Sequence, residues 1–162
     1  MDCRGRLERW FRDERVTYEL KEHPEAFTAQ QVAATEHVSG YWVAKVVMVV
    51  SDGMLVMLVL PAPFRVDLVR LKEALGAGVV RLAREDEFAN LFPDCEVGAM
   101  PPFGNLYGVP VYVDAALAKD PFIVFNAGSH RETMTIAYAD FERLVKPTVV
   151  DLGLSARTAE GL

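Results

Sequence analysis

One lysine lies inside a long apolar segment, and its charge is the first feature of the chain that could do chemistry. Residues 41–50 read Tyr-Trp-Val-Ala-Lys-Val-Val-Met-Val-Val, so apolar residues flank Lys45 on both sides. A buried ammonium without a partner is costly or titrates below its usual pKa. Lys45 could therefore stabilise negative charge on a substrate. It could equally reach solvent from an edge strand and discourage aggregation, and the segment alone leaves both interpretations open.

A loop rich in glycine and proline is the second candidate for a site. It consists of Gly98, Ala99, Met100, Pro101 and Pro102. The prolines restrict φ and lack amide donors, whereas glycine allows another group to approach the backbone closely. We expect a rigid wall of a small pocket, in which the amides of Gly98, Ala99 and Met100 could face a developing negative charge. A structural turn would account for the same residues.

A third candidate loop follows a predicted strand and contains Asn126, Ala127, Gly128, Ser129 and His130. Donors and acceptors at the end of a strand often contact ligands, and the small residues leave room for one. A hydrolytic Ser/His pair is not predicted, because adjacent side chains usually point apart and the Gly-x-Ser-x-Gly motif is absent. His130 could contact a substrate amino group or cap the loop.

No metal or cofactor is predicted. The three histidines, His23, His37 and His130, are far apart in the sequence, and neither His-x-x-x-His nor Cys-x-x-Cys spacing occurs. Cys3 and Cys95 do not form a disulfide framework. Glycine-rich phosphate-binding motifs are also absent, which excludes the usual nucleotide enzymes.

Composition predicts a single globular domain. The chain has 162 residues, 51% of them hydrophobic, and a net charge of −6. This charge argues against an extended electrostatic contact with nucleic acid, although residues 65–84 are net positive. The charged N-terminus and the lack of a long apolar run predict a soluble cytoplasmic protein that does not contact a membrane.

The remaining pattern predicts the elements that position these residues. Apolar runs on both sides of Asp52-Gly53 predict a β-hairpin over Tyr41–Leu60, with both faces of its first strand covered. The irregular order of elements favours an α/β (mixed α+β) fold, with a mixed, mostly antiparallel sheet and helices packed around it. A frayed tail is predicted after Leu152. Helices are predicted over 4–14, 28–36, 67–76, 84–91 and 138–145, and further strands over 16–20, 79–83, 109–113, 122–125 and 133–137.

Taken together, these segments resemble the YbaK family of free-standing aminoacyl-tRNA editing domains, which are similar to the domain inserted in bacterial prolyl-tRNA synthetases. The similarity rests on Lys45 in its strand, the Gly-x-x-x-Pro loop at 98–102 and the strand-end loop at 126–130. His23, residues 28–34 and the segment 107–114 support it. It covers about residues 16–145 and implies the mixed fold described above.

The resemblance implies that the chain hydrolyses the ester between a mischarged amino acid and the terminal adenosine of a tRNA. In the family, the Gly-x-x-x-Pro loop helps to position the ester, and the lysine contacts the terminal nucleotide or the carbonyl. No protein nucleophile is needed, because the neighbouring ribose hydroxyl or backbone groups can orient water. By resemblance, Lys45 is the catalytic residue, and the loops 98–102 and 126–130 bind the substrate. The implied partners are mischarged tRNA and an aminoacyl-tRNA synthetase.

One departure from the family pattern affects the substrate. Many members have a Ser/Thr-Gly-Gly-like sequence where this chain has Asn126-Ala127-Gly128. The resemblance points to a proline-type tRNA carrying a small amino acid, and the departure leaves alanine, cysteine and serine open. Two other functions also remain open: a non-catalytic module that binds aminoacyl-tRNA or a synthetase, and an esterase that acts on a small molecule.

Overall fold

The computed structural model describes residues 2–24 and 41–155, so the predicted helix over 28–36 lies outside the described residues. The described helices are α1 (Cys3–Asp13), α2 (Leu68–Leu75), α3 (Glu85–Phe88), α4 (Ala115–Ala118) and α5 (Tyr138–Val145). The strands are β1 (Tyr18–Glu22), β2 (Ala44–Ser51), β3 (Met54–Pro61), β4 (Phe64–Val66), β5 (Val80–Leu82), β6 (Val111–Asp114), β7 (Phe122–Asn126), β8 (Glu132–Ala137), β9 (Thr148–Val150) and β10 (Gly153–Ser155).

The main sheet has five strands in the order β5-β2-β3-β6-β9. The strands β5, β2 and β3 pair antiparallel, whereas β3–β6 and β6–β9 pair parallel. A second, antiparallel sheet has the order β1-β8-β7, and β4 pairs antiparallel with β10. Helices accompany these sheets, which confirms the predicted mixed, mostly antiparallel fold.

The predicted hairpin is confirmed and has a tight turn. Asp52 and Gly53 have φ values of 48° and 82°, and such left-handed conformations are the reason for the Asp-Gly preference in two-residue hairpin turns. The Asp52 carboxylate also accepts hydrogen bonds from the amides of Gly78 and Val79, at 3.0 and 2.9 Å. The turn therefore also fixes the entry to β5.

Strand β2 is packed on both faces, as predicted. Ala44 and Met48 belong to the larger hydrophobic core, whereas Val49 on the opposite face belongs to a smaller core. The smaller core is closed by Leu71 of α2 and by Leu152. Because side chains alternate along a strand, Lys45 lies on the face of the smaller core.

The two larger sheets meet next to the start of β2. Val43 and Val124 form an isolated parallel bridge, and the Val124 amide donates to the carbonyl of Trp42 at 3.0 Å. Buried aromatic rings fill the space around α1 and β7, where the ring centroids of Phe103 and Phe125 are 5.2 Å apart. Such edge-to-face contacts are favourable for aromatic pairs.

Several details differ from the sequence predictions. The strands form three sheets, and the tail predicted to fray after Leu152 contains β10, which pairs with β4 through residues 64–66. The segment predicted as one helix over 84–91 is α3 followed by a 3₁₀ turn over Ala89–Leu91. Short strands β4, β9 and β10 were not predicted, because three-residue segments carry little periodicity and form through their partners. In the described residues, no helix is long and apolar enough to cross a membrane.

Candidate functional site

The structure brings the two predicted loops into direct contact. The amide of Gly128 donates to the carbonyl of Ala99 at 3.0 Å, and the carbonyl of Gly128 accepts from the amide of Glu96 at 2.8 Å. Reciprocal backbone bonds of this kind hold two irregular segments at a defined distance. The loops at 98–102 and 126–130 therefore form one unit, although 23 residues or more separate them in the sequence.

His130 anchors this unit. Its side chain is buried, and its Nε2 lies 2.9 Å from the carbonyl of Val97, which can only accept, so Nε2 carries the hydrogen. Gly98 has a φ of 85°, and an added Cβ there would lie 3.4 Å from Cε1 of His130. The glycine thus provides both the left-handed conformation and close contact with the ring. A role of His130 in substrate binding stays a prediction.

The first loop is mostly inside the protein. Gly98 is exposed, whereas Ala99, Met100, Pro101 and Pro102 are buried. The amide of Ala99 donates to the carbonyl of Glu96 at 3.0 Å, and the amide of Gly98 faces the sulfur of Met100 at 3.3 Å. The expected oxyanion donor at Ala99 therefore already has an acceptor.

The second loop contains a buried polar atom that has no hydrogen-bond partner among residues 2–24 and 41–155. This atom is Oδ1 of Asn126, at the end of β7. Ser129 is half-buried, and its Oγ accepts from the amide of Arg131 at 3.2 Å, whereas Ala127 and Gly128 are buried. An unpaired buried acceptor is costly, so Oδ1 of Asn126 is suited to receive a hydrogen bond from a ligand.

Lys45 is half-buried on β2, opposite Leu60 of β3. Burial lowers the pKa of the Lys45 ammonium, and the positive charge of Arg65 lowers it further. Among residues 2–24 and 41–155, no carboxylate lies within ion-pair distance of Lys45. Two positive charges close together, one of them half-buried, favour an anion as their counterpart.

Lys45 lies near the loop unit without bonding to it. Val43 and Val124 pair in parallel, and Lys45 and Asn126 each lie two residues beyond that bridge on their own strands. The bridge therefore directs both residues toward the same end of the two sheets. In the described part of the chain, no hydrogen bond joins the Lys45 side chain to either loop.

A cleft of about 560 Å³ lies between the start of α1 and the loop unit, and its lining includes Cys3, Asp94, Cys95, Gly128 and Ser129. No site was predicted at the cysteines, because Cys3 and Cys95 do not have the spacing of metal ligands in the sequence. A hydrogen bond from the Cys3 thiol lowers the pKa of the Cys95 thiol. The same hydrogen bond, together with burial, raises the pKa of the Cys3 thiol. Arg65 was also missed as a site residue, since an isolated surface arginine carries no motif.

Comparisons with known proteins agree with this arrangement. Residues 23–144 match the family model described as an aminoacyl-tRNA editing domain. Over 127 residues, the chain is 28% identical to a proline--tRNA ligase of Bacillus cytotoxicus, with 72% of the chain and 22% of that enzyme covered. The chain thus spans about a fifth of the length of this relative.

Two solved structures share the fold. One belongs to a protein proposed to be a trans-editing enzyme for prolyl tRNA synthetase, with a TM-score of 0.81, 19% identity, and 96% of this chain and 99% of that chain covered. The other is a hypothetical protein with a TM-score of 0.81, 23% identity, and 91% and 99% coverage. The fold is thus that of the YbaK-like editing domains, as the resemblance predicted.

The family match spans most of the chain and includes Lys45 and both loops. The chain belongs to the aminoacyl-tRNA editing domain family.

Proposed function

We propose that this protein is a trans-editing deacylase, which hydrolyses the ester of a mischarged tRNA. The observation that carries the proposal is the half-buried ammonium of Lys45, which has a second cation, Arg65, nearby and no carboxylate partner in the described residues. The 3′ end of an aminoacyl-tRNA supplies what such a site needs, because it carries a phosphate and an ester carbonyl.

Hydrolysis needs only modest help from the protein, because the ester is intrinsically labile. The oxygen of water bonds to the carbonyl carbon, the carbon–oxygen bond to the ribose breaks, and the ribose oxygen takes a proton. Free amino acid and tRNA are the products. Lys45 stabilises negative charge on the carbonyl oxygen or on the terminal phosphate, and the low local dielectric strengthens this effect. The ribose hydroxyl next to the ester orients the water.

The loop unit positions the amino acid. Oδ1 of Asn126 has no hydrogen-bond partner within the described segments and is suited to accept from the α-ammonium of the substrate. Gly98 and Met100 supply backbone groups at the wall formed by residues 98–102, and Ala127, Gly128 and Ser129 leave room for a small side chain. His130 holds the two loops together through Val97.

A proline-type tRNA carrying alanine, cysteine or serine is the substrate we infer. The similarity to a proline--tRNA ligase and to a protein proposed to edit for prolyl tRNA synthetase supports this choice. One methylene in such a pocket changes the free energy by only about 1–3 kcal/mol, so the three amino acids must be compared directly.

The test is a deacylation assay with Ala-, Cys-, Ser- and Pro-tRNA of the proline type. Wild-type protein is compared with Lys45→Ala and Lys45→Arg, and with Lys119→Ala as a control that removes an exposed lysine. We expect hydrolysis of one mischarged ester, sparing of the Pro ester, loss in Lys45→Ala by about 10²-fold or more, and normal activity in Lys119→Ala. Full activity of folded Lys45→Ala would refute the role of the lysine.

The same assay separates the alternatives. Binding of aminoacyl-tRNA or a synthetase without hydrolysis of any ester would identify a non-catalytic binding module. Cleavage of small amino-acid esters but not of aminoacyl-tRNA would identify a small-molecule esterase. Either result would overturn the editing function.

A further inference from the structure

A cluster of two thiols and one carboxylate lies outside the proposed editing site. Sγ of Cys3, a carboxylate oxygen of Asp94 and Sγ of Cys95 all lie within 4.8 Å of one another. The contact between Sγ of Cys95 and Oδ1 of Asp94 is 3.6 Å. In a tetrahedral zinc site, Zn–S and Zn–O bonds of about 2.3 and 2.1 Å place a sulfur and an oxygen ligand about 3.6 Å apart.

Two segments that are distant in the sequence bring these residues together. Cys3 begins α1, and its amide donates to the carbonyl of Asp94 at 3.3 Å. The segment around Asp94 turns sharply, because the amide of Cys95 donates to the carbonyl of Phe92 at 3.1 Å. This turn points the neighbouring side chains of Asp94 and Cys95 toward the same point, which adjacent residues of an extended chain do not do.

The charges around the cluster suit a divalent cation. Two thiolates and one carboxylate carry three negative charges, and a bound divalent cation leaves one net negative charge at the cluster. Arg6 supplies the remaining positive charge, since its Nη1 lies 3.7 Å from Oδ2 of Asp94. Its guanidinium also lies 4.7 Å from the ring centroid of Tyr107.

The cluster also has the outer hydrogen bonds that orient metal ligands. The hydroxyl of Tyr107 donates to Oδ1 of Asp94 at 2.9 Å and lies 3.5 Å from Sγ of Cys95. Such outer partners fix the orientation of a ligating carboxylate. The cleft of about 560 Å³ reaches Cys3, Asp94 and Cys95, and it provides both a route of entry and space for a water as the fourth ligand.

We propose that Cys3, Asp94 and Cys95 form a binding site for a thiophilic divalent cation, with Zn²⁺ as the ion that best fits the two sulfurs and one oxygen. On binding, both thiols release their protons to solvent and each sulfur forms one bond to the ion. No oxidation or reduction takes place. The ion would join Cys3 of α1 to the 94–95 turn, which lie on separate segments of the chain.

The proposed ion would reinforce the contact between α1 and the loop unit. A Cβ added to Gly128 would clash with Cβ of Cys3 and lie 2.6 Å from its Sγ, so the ligand Cys3 packs directly on this loop. The amide of Glu96, next to Cys95, donates to the carbonyl of Gly128 at 2.8 Å. Cys3 thus packs against Gly128, and Cys95 precedes the residue whose amide bonds to it.

The test uses the full chain in the absence of tRNA, under a reducing agent that does not bind metal. Co²⁺ is the optical probe, because thiolate ligation gives a near-ultraviolet charge-transfer band and tetrahedral geometry gives intense visible bands. We expect saturable, stoichiometric spectra that Zn²⁺ abolishes by displacement, and a rise in the thermal midpoint when Zn²⁺ is added. Absence of a thiolate band in reduced wild type would overturn the proposal.

Variants assign the ligands. Cys95→Ser and Asp94→Asn should each weaken Zn²⁺ binding by more than about tenfold. Loss of a residue that only hydrogen-bonds to a ligand already costs about tenfold or more in metal affinity, and loss of a ligand itself should cost at least as much. Glu96→Gln is the matched control, because Glu96 also lines the cleft but lies outside the cluster. Its affinity should equal that of wild type. If Cys3→Ser does not fold, Cys95→Ser still tests the site, because Cys95 is only half-buried. An unchanged Co²⁺ charge-transfer band in Cys95→Ser would refute the site.

Discussion

The amide of Gly128 donates a hydrogen bond of 3.0 Å to the carbonyl of Ala99, and this bond directly joins the two loops that the sequence predicts to bind substrate. On its other side, Gly128 packs against Cys3 of α1. One glycine therefore lies between the proposed amino-acid pocket and the proposed cation site. Changes at this position should affect the geometry of the loops before they affect the rest of the fold.

Gly128→Ala should destabilise the protein by roughly 2–4 kcal/mol, since strain at positive φ adds to overpacking against Cys3. The φ of Gly128 is 96°, and the added Cβ would clash with Cβ of Cys3. Gly108→Ala is the matched control, because Gly108 has a φ of 74° and nothing within 4 Å of the added atom. Denaturant unfolding measures both. Equal losses of unfolding free energy in Gly128→Ala and Gly108→Ala would show that packing against Cys3 does not contribute to the destabilisation.

Lys45 should lose its proton below pH 10.5, the value of an ordinary lysine, because burial and Arg65 both disfavour the ammonium. Because this pKa is lowered, Lys45 becomes neutral at a lower pH than an ordinary lysine does. Substrate binding that needs the positive charge is therefore lost at that lower pH as the pH rises. NMR titration of ¹³C-labelled lysine side chains measures this pKa. Arg65→Gln should raise it, and an unchanged value in that variant would remove Arg65 as a cause.

Arg65→Gln should weaken tRNA binding and reduce the slope of log K against log salt by about one, as expected when one phosphate contact is removed. Arg65 is exposed and lies close enough to Lys45 to lower its pKa. Arg9→Gln removes an exposed arginine from α1 and serves as the control. Fluorescence anisotropy at several salt concentrations measures the slopes. Equal slopes for the two variants would argue against a phosphate at Arg65.

Asp114→Ala should lower the free energy of unfolding by about 1–3 kcal/mol. The buried carboxylate accepts from the amide of Ala116 at 2.8 Å, which caps α4, and from the amide of Leu152 at 2.9 Å. Removing it leaves the buried Leu152 amide without that acceptor. Asp114→Asn keeps one side-chain oxygen as an acceptor and should lose less. Thermal unfolding of the two variants checks the order, and an Asn variant as unstable as Ala would show that one acceptor oxygen alone contributes nothing.

Much of the local structure was predictable from the sequence. Asp52 and Gly53 between two apolar runs define the hairpin, because the favoured two-residue turn needs left-handed conformations that these residues adopt. Asp67 predicted the start of α2, and its carboxylate accepts from the amides of Val69 and Arg70. Gly76, with a φ of 61°, ends that helix as predicted. All of these signals involve residues close together in the sequence.

The short strands were not predictable in the same way. Segment 148–150 forms a strand because it lies beside β6, and segment 153–155 forms one because it lies beside β4. Three residues carry too little periodicity to indicate a strand. Their hydrogen-bond partners are distant in the sequence, so only the folded sheet defines them.

The sequence by itself determined which residues are available for chemistry: a lysine within an apolar strand, a Gly-x-x-x-Pro loop and a small strand-end loop, all of which depend on local pattern. Only the tertiary structure decided that Gly128 bonds to Ala99, that Arg65 lies near Lys45, and that the thiols of Cys3 and Cys95 share one cluster with Asp94. These relationships depend on how sheets and helices pack. Packing brings together Ala99 and Gly128, which are 29 positions apart, and Cys3 and Cys95, which are 92 positions apart. No local sequence pattern indicates contacts between residues so far apart in the chain.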